Sequence, residues 1–413
     1  MTSSSRKNRT LCVPFCKTAY PSIVKNNVDF RSYLNKAIVK HPELFPVDIG
    51  NGYLMKDIKY SKKLSFFIRR IKINGISYTI RPSFIMAYMT GFVEDVADAL
   101  FFRKFDVPFW AIAHVFGRNP MYWYRLENHI GRNSIVGTTI KRADFLPEHI
   151  VADEKHTRIL GDKCYIATTA AHNCILGASI SENAGEASLT KAYGIFKEEA
   201  QRVKPGYGPK TVNLDGWPAT NKSWKILFSS VVIICCFLHV YIKIRDRSKR
   251  KHKSQFIETA TRLWDCYDAF NKRSFSQRIR RLIEWGSKEL LPDVILNPIK
   301  KLKKNIKFYS SYYDHVGAHR TSNMIDRLMQ RMDRHLLSIQ YFHGTYGSAE
   351  LNIRGWALIN NFAPSNPATV KKYFGKKSPA ERLNGFFYHE NWLQNLLISA
   401  SLNEFRPPPL NPL

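Results

Sequence analysis

Residues 149–181, HIVADEKHTRILGDKCYIATTAAHNCILGASIS, carry the reading on which the fold depends. HIVADEKH (149–156), KCYIATTAA (163–171) and NCILGASIS (173–181) read as three closely spaced strands, the last two in hairpin fashion. Downstream, SLTKAYGIFKEEAQRV (188–203) sets Leu189, Tyr193 and Phe196 on one side of a helix, with Lys197, Glu198 and Arg202 elsewhere. The breaker KPGYGPK follows, then a strand TVNLD (211–215), a helix through Trp224 to Phe228, a strand VVIICC (231–236) and a basic helix. The order β-β-β-α-β-α-β-α implies an α/β fold, a mixed sheet with helices packed on it.

Two acids fall where such a sheet has use for them. Asp153 lies in the middle of the first strand and Asp215 ends the fourth. A strand-end carboxylate points into the crevice at the carboxyl edge, where ligands of open α/β sheets bind. If strands one and four adjoin, both carboxylates reach one divalent ion, and hard oxygen donors suit Mg²⁺ or Mn²⁺. The bland alternative is an N-cap or surface acid at each position. A third acid is expected on a later helix, where Asp326 sits in a first turn that Ser322 or Asn323 can cap. Arg327, Arg331 and Arg334, at i, i+4 and i+7, form a cationic stripe beside it, suited to phosphate. Asp333 and Glu350 are weaker candidates for the same post, and an exposed helix with Asp326 paired to an arginine is the plain reading.

The 413 residues carry 63 Lys plus Arg against 33 Asp plus Glu, so 63 − 33 = +30. Such a chain meets a polyphosphate or an anionic membrane surface. With 44% hydrophobic and 13% aromatic residues it is too apolar for wholesale disorder. Seven cysteines at irregular spacing argue for a reducing compartment, and MTSSSRKNRT lacks the apolar core of a secretory signal. The run ILFSSVVIICCFLHVYI (226–242), with Lys243, Arg245 and Arg247 behind it, is just long enough for a membrane span. It equally divides into a helix end, a buried strand (Val231 to Cys236) and a new helix from about Phe237.

Residues 1–75 are basic and yield no fold; Cys12 and Cys16 form a lone CxxxC, better read as two ordinary thiols. From Pro82 the pattern turns helical, with candidate helices Phe84–Phe102, Pro108–Phe116 and Pro120–Ile130. Ala113, Gly117 and Pro120 suit a helix-turn-helix, which puts Arg118, Asn119, Tyr122 and Arg125 on or near the exposed side of a recognition helix. A helical bundle that only scaffolds the next domain fits as well. Residues 255–320 read as helical and basic, with Phe308, Tyr309, Tyr312 and Tyr313 among lysines as candidate base-stacking platforms. The chain tapers into RPPPLNPL, an extended tail.

From about Ile150 to Phe362 the chain resembles a DDE-type transposase of bacterial insertion sequences, most closely the Mutator-like group with an all-helical insertion in an RNase H-like core. Asp153 matches the first acid, LDGW (214–217) the second acid with its following Gly, and CFLH (236–239) the C-x-x-H signature. RTSNMID (320–326) stands where the group has R-T-T-N-x-[IV]-E. The separations 215 − 153 = 62 and 326 − 215 = 111 leave room for the insertion in the second interval. The resemblance implies a catalytic core over 146–244 and 319–365, a helical insertion over 245–318, a helical DNA-binding region over 76–145, and C-terminal helices with a Pro-rich tail over 366–413. It implies Asp153, Asp215 and Asp326 as catalytic and metal-holding residues for two Mg²⁺ or Mn²⁺ ions.

His239 would lie near them, contacting DNA or orienting the acids, with Cys236 packed at the strand end. On residue grounds alone a core cysteine and a satisfied histidine fit equally, and no second ligand pair completes a zinc site. Arg320, Arg327, Arg331 and Arg334 would contact double-stranded DNA, in at least a dimer, in the bacterial cytoplasm at the nucleoid. One departure stands out: Asp326 replaces the family's Glu and shortens the reach by about 1.5 Å. The rivals are a transposase-derived DNA-binding protein without turnover, a simple nuclease, and a single-span membrane protein.

Overall fold

The computed structural model describes residues 9–403, apart from Lys249 and the side chain of Met89. The chain is mixed α/β, with two sheets flanked by helices. The first sheet occupies the basic segment that the sequence left without a fold. Strand β1 (Thr10–Val13) leads to helices α1 (Tyr20–Lys25) and α2 (Asn27–Lys40). Strands β2 (Leu54–Ser61), β3 (Phe66–Ile73) and β4 (Ile76–Pro82) follow, and the sheet order is β1-β4-β3-β2. β1 pairs with β4 in parallel, and β2, β3 and β4 run antiparallel. Arg69, in β3, is buried and donates to the carbonyls of Val24 (2.6 Å) and Lys25, so a cation satisfies the last turn of α1.

The expected helix Phe84–Phe102 is shorter than its apolar pattern suggests. Ile85 bridges Phe92, Met86 N–H bonds the Gly91 carbonyl, and Tyr88 sits at φ 58°, so the chain loops back before α3 (Ala97–Phe102) begins. α4 (Phe109–Phe116) and α5 (Pro120–Gly131) fall where expected, and α6 (Ile135–Thr139) follows.

The second sheet comprises β5 (His149–Ile159), β6 (Asp162–Ala171), β7 (Cys174–Ser181), then β8 (Thr211–Leu214) and β9 (Val232–Cys235). Helix α7 (Glu186–Val203) links β7 to β8, and α8 (Pro218–Leu227) links β8 to β9. The order is β7-β6-β5-β8-β9, with β7, β6 and β5 antiparallel and β5, β8 and β9 parallel. Strands one and four of this sheet therefore adjoin. The apolar run 226–242 is the end of α8, then β9, then the start of α9 (Phe237–Ser248). Among the described residues no helix is long and apolar enough to cross a membrane.

The next helices, α10 (Lys253–Tyr267), α11 (Lys272–Lys288), α12 (Asp293–Lys304) and α13 (Ile306–Ser310), close on α9 around a core of their own, with Phe275, Ile279 and Ile299 at its centre. α14 (Asn323–Ser338) and α15 (Tyr346–Phe362) return to the second sheet, and α16 (Pro367–Lys372), α17 (Pro379–Asn384) and α18 (Trp392–Ser399) complete the chain. Ser401 Oγ, just past α18, accepts from Cys12 N–H of β1 and ties the C-terminal end to the first sheet. The Pro-rich tail expected beyond lies outside the described residues.

The second sheet is covered on both faces. Ile150, Ala152, Val212 and Leu214 pack with Leu189, Tyr193, Phe196 and Trp224 of α7 and α8. Val151, Ile166 and Ile175 pack with Ile325, Met329 and Met332 of α14 and with α15. α15, buried along nearly its whole length, also satisfies the outer strand β7: Asn361 bonds both N–H and C=O of Ile175 (2.9 and 2.7 Å), and Glu350 accepts from Ile180 N–H. An edge strand that would otherwise offer free backbone groups is thereby closed.

α5 lies directly on α15, and the approach is set by two glycines. A Cβ on Gly131 would stand 1.8 Å from the Leu351 carbonyl oxygen, and one on Gly355 2.2 Å from that of Glu127. Gly131→Ala therefore forces the helices apart and should cost about 3 kcal/mol in denaturant unfolding, the upper end for overpacking.

Next to this crossing, Arg103 donates to Glu127 (2.7 Å) and to His335 Nδ1 (3.0 Å), and His335 Nε2 donates to Asn352 (2.9 Å). That pattern needs a neutral imidazole, and burial with the Arg103 charge holds the His335 pKa well below its ordinary value. The folded chain resists a proton that the unfolded chain accepts near pH 6.5, so stability present above that pH is lost as pH falls below it. The expected loss is up to ~1.4 kcal/mol per pH unit for this proton. Denaturation midpoints in His335→Gln should show a shallower acid slope than the wild type.

Candidate active site

β5 and β8 set two carboxylates side by side. Val151 registers on Asn213, two residues before Asp153 and Asp215, so the two acids continue the same row and point to the α14 face. Leu214 registers on Cys235, which extends that row to Cys236 beyond the end of β9. Each acid is held locally. Asp153 Oδ1 accepts from Glu154 N–H (2.9 Å) and Asp215 Oδ1 from Trp217 N–H (2.7 Å). The second bond closes a tight turn over Gly216, whose φ of 90° suits glycine, before Pro218 opens α8. The Asp-Gly-Trp-Pro run is thus a device for ending a strand with a locally held, half-buried carboxylate and starting a helix at once.

Asp326 comes from the first turn of α14. The expected backbone cap by Ser322 does not form; its hydroxyl instead donates to the Asp326 carboxylate (3.0 and 3.2 Å). Ser322 also meets Cys236, its N–H directed at the sulfur (3.2 Å) and its Oγ 3.1 Å away. The C-x-x-H segment and the third acid are therefore joined through one serine. The Cys236 side chain is fully buried, and His239 lies against it with its Nδ1 buried and unbonded. Burial alone would raise the Cys236 thiol, but the His239 imidazole, Ser322 and the His239 N–H take it below the ordinary value. His239 moves up, chiefly through Cys236 and then through the charges of Asp153 and Asp215, against its burial.

Asp153 is pushed up to about 6. Burial is the main cause, opposed by the Glu154 N–H, with Asp215 and Asp326 adding like charge and His239 relieving it. The charges of Asp215 and Asp326 thus both reach Asp153. As a donor set they fit a hard divalent cation: three carboxylates with oxygens left over, in a place where negative charge is under-compensated. Among the described residues, however, no three His, Cys, Asp or Glu side chains stand close enough to hold an ion as they are placed.

Other expected residues have structural partners. Arg320 donates to the Tyr267 carbonyl and to Tyr313 Oη, and its guanidinium lies 4.2 Å from the Tyr267 ring centre, clamping the helical insertion to the sheet. Tyr313 donates to the Ala269 carbonyl, and Tyr309 packs on Phe237, so these aromatics belong to the insertion's core. Phe308 packs on the second sheet's core beside α7 and α8, and Tyr312 meets the edge of Tyr313. Asn119 caps α5 by accepting from Met121 N–H, and Tyr122 is half-buried, whereas Arg118 and Arg125 are exposed. Asp333 pairs with Lys155, and Glu350 faces Arg354 and β7. Arg334 faces Asp106 at 3.5 Å, while Arg327 is exposed and Arg331 half-buried.

Two residues escaped the sequence reading. Glu154, on the opposite face from Asp153, accepts from Tyr193 (2.8 Å) and Thr220 (2.6 Å), is pushed up to about 7 by burial, and pins α7 and α8 beneath the acids. Ser322 was visible only as a cap, although its i, i+4 spacing to Asp326 signals a side-chain contact on a helix.

The Cys236 contact is the largest influence on His239, so Cys236→Ala should lower the imidazole pKa toward the ordinary range. NMR titration of labelled histidine measures this directly; an unchanged value would remove Cys236 from the site's electrostatics. The chain matches no family model and no curated protein.

Proposed function

We propose that the chain is a DNA transposase, in which an RNase H-like core over 146–244 and 319–365 cleaves phosphodiesters at the ends of a mobile element and joins the freed 3′-hydroxyls to target DNA. One observation carries the reading. Asp153 and Asp215 continue a single row on adjacent parallel strands, and the helix covering that face brings Asp326 into their field. The mixed sheet and the separate helical layer after β9 support the core and its insertion.

Asp153, Asp215 and Asp326 are the residues that would hold Mg²⁺ or Mn²⁺, which when bound supplies an activated water or 3′-hydroxyl and stabilises the leaving oxygen. The chain's own part is positioning. β5 and β8 fix two carboxylates through backbone bonds, and Ser322 fixes the shorter third acid through both of its oxygens. His239, raised chiefly by Cys236 and then by Asp153 and Asp215, would carry positive charge beside the carboxylates and offset them in part. No covalent protein intermediate is needed. Double-stranded DNA is the partner, held in at least a dimer because two ends are processed together, in the cytoplasm at the nucleoid.

The spacing of the acids favours a second reading. Asp326 is one methylene shorter than the family's Glu, and the three carboxylates are not gathered to ion-binding distance. A DNA-binding derivative without turnover has these features too.

Cleavage of a duplex carrying the DNA that flanks the reading frame, with Mg²⁺ or Mn²⁺, separates the two. Wild type should cut and strand-transfer, and Asp153→Asn, Asp215→Asn and Asp326→Asn should each lose about 10²–10³-fold while still binding. A wild type as inert as Asp153→Ala, with both still bound to the duplex, leaves only the DNA-binding reading. Cutting without strand transfer identifies a nuclease.

A further inference from the structure

α14 has a second functional face. At 100° per residue, Asp326 points to one side of the helix and Met324, Arg327, Leu328 and Arg331 to another. On that other side lies a cavity of about 350 Å³, lined by Lys104, Arg327, Arg331, Arg334, Lys372 and Arg382. The six cations converge from four separate parts of the chain: the turn after α3, then α14, α16 and α17. A solvated surface stripe comes from one element and spreads its charges apart; this arrangement gathers them.

Compensation is sparse. Asp106, 3.5 Å from Arg334, is the one carboxylate within ion-pair distance of any of the six among the described residues. Lys104 is buried at the cavity wall, its ammonium on the carbonyls of Ala363 (2.5 Å) and Pro364 (2.8 Å) at the end of α15. Its pKa falls to about 7, through burial first and then the charges of Arg331 and Arg382. Among the described residues Arg331 has no hydrogen-bond or ion-pair partner, and Arg382 donates to Ser365 Oγ (3.2 Å) and the Lys376 carbonyl. Neutral donors stand among the cations at Asn173, Ser365 and Thr369.

We propose that this cavity binds an anion bearing closely spaced phosphate groups. A single carboxylate cannot balance Arg327, Arg331, Lys372 and Arg382, which have no ion pair among the described residues, in so small a volume, whereas consecutive phosphates match both the charge density and the forked geometry of arginine. The phosphates come either from a free polyphosphate or nucleotide, or from a nucleic-acid backbone. The cavity shares Asn173, Tyr373 and Arg382 with a wider groove of about 810 Å³ that contains His149, His172 and His319, so a longer strand has a way onward. The site is separated from the carboxylates by α14 and does not depend on the chain cleaving DNA.

Inorganic tripolyphosphate is the probe, titrated calorimetrically into the full chain at ~0.15 M salt, with sulfate as reference. It should bind more tightly than sulfate. Arg331→Ala and Lys372→Glu should each weaken it by about tenfold, and Asp153→Asn should leave it unchanged. Lys372 is exposed, so its substitution tests the site without disturbing the core. A labelled DNA duplex separates the sources. Displacement of the duplex by tripolyphosphate, with both variants weakening both ligands, assigns the cavity to the DNA backbone. A duplex that stays bound while tripolyphosphate saturates assigns it to a free polyphosphate. Tripolyphosphate binding no tighter than sulfate, or equal in wild type and variants, overturns the site.

Discussion

β5 is covered on both faces, and a carboxylate in such a strand keeps its charge only where something else compensates it. The strand carries two consecutive acids that meet this constraint in opposite ways. Glu154 turns toward α7 and α8, where two hydroxyls donate to it, and becomes part of the packing. Asp153 turns toward α14 and receives only the neighbouring backbone N–H, with two more acids nearby. The alternation of a strand thus separates a satisfied acid from an unsatisfied one within a single dipeptide. The unsatisfied one is where a cation has most to gain.

α14 and α15 cover the Asp153 face and hold the outer strand. α14 carries Asp326 over the sheet, and α15 closes the edge strand while contacting α5 at glycine-to-backbone distance. The polar groups at that crossing, Arg103, Glu127, His335 and Asn352, form one closed network with no spare donor on the imidazole. Removing any one member strands the others in a low-dielectric interior, which costs more than the intact network contributes. The helices over 97–131 are therefore bound into the same core as the sheet, whatever their exposed ends touch.

Much of the second sheet was legible in the sequence because its signals are local: continuous apolar strands, an amphipathic α7, and breakers at 204–210. The apolar run at 226–242 resolved as strand and helix because a strand buried on both faces loses its polar alternation. The first sheet was not legible, since β1 is four residues long and pairs with β4 about seventy residues later, a contact no local pattern encodes. The helix expected over Phe84–Phe102 failed for a related reason: the Ile85–Phe92 bridge overrides a helical apolar pattern with a loop. Of the site, the residue types and the strands that carry Asp153 and Asp215 were readable, and their adjacency only as a condition that the register Val151–Asn213 meets. What was not is the partnering of Arg320 with Tyr267 and Tyr313, which only the fold can reveal.

The charge excess gains a finer meaning from the rotation of α14. Arg327, Arg331 and Arg334 were expected as a cationic stripe beside Asp326, one face for metal and a neighbouring face for phosphate. They stand about 80–140° around the helix from Asp326, while its buried face (Ile325, Met329, Met332) lies on the acid's other flank, pressed on the sheet. Had the cations stood beside Asp326, they would have neutralised the carboxylates and weakened their claim on a metal. Set on another face of the helix, they direct their charge to the cavity, where Arg334 alone of the three has a carboxylate partner among the described residues. One helix can then present an acid on one face and cations on another, as the proposed binding of a polyanion near a carboxylate site would use.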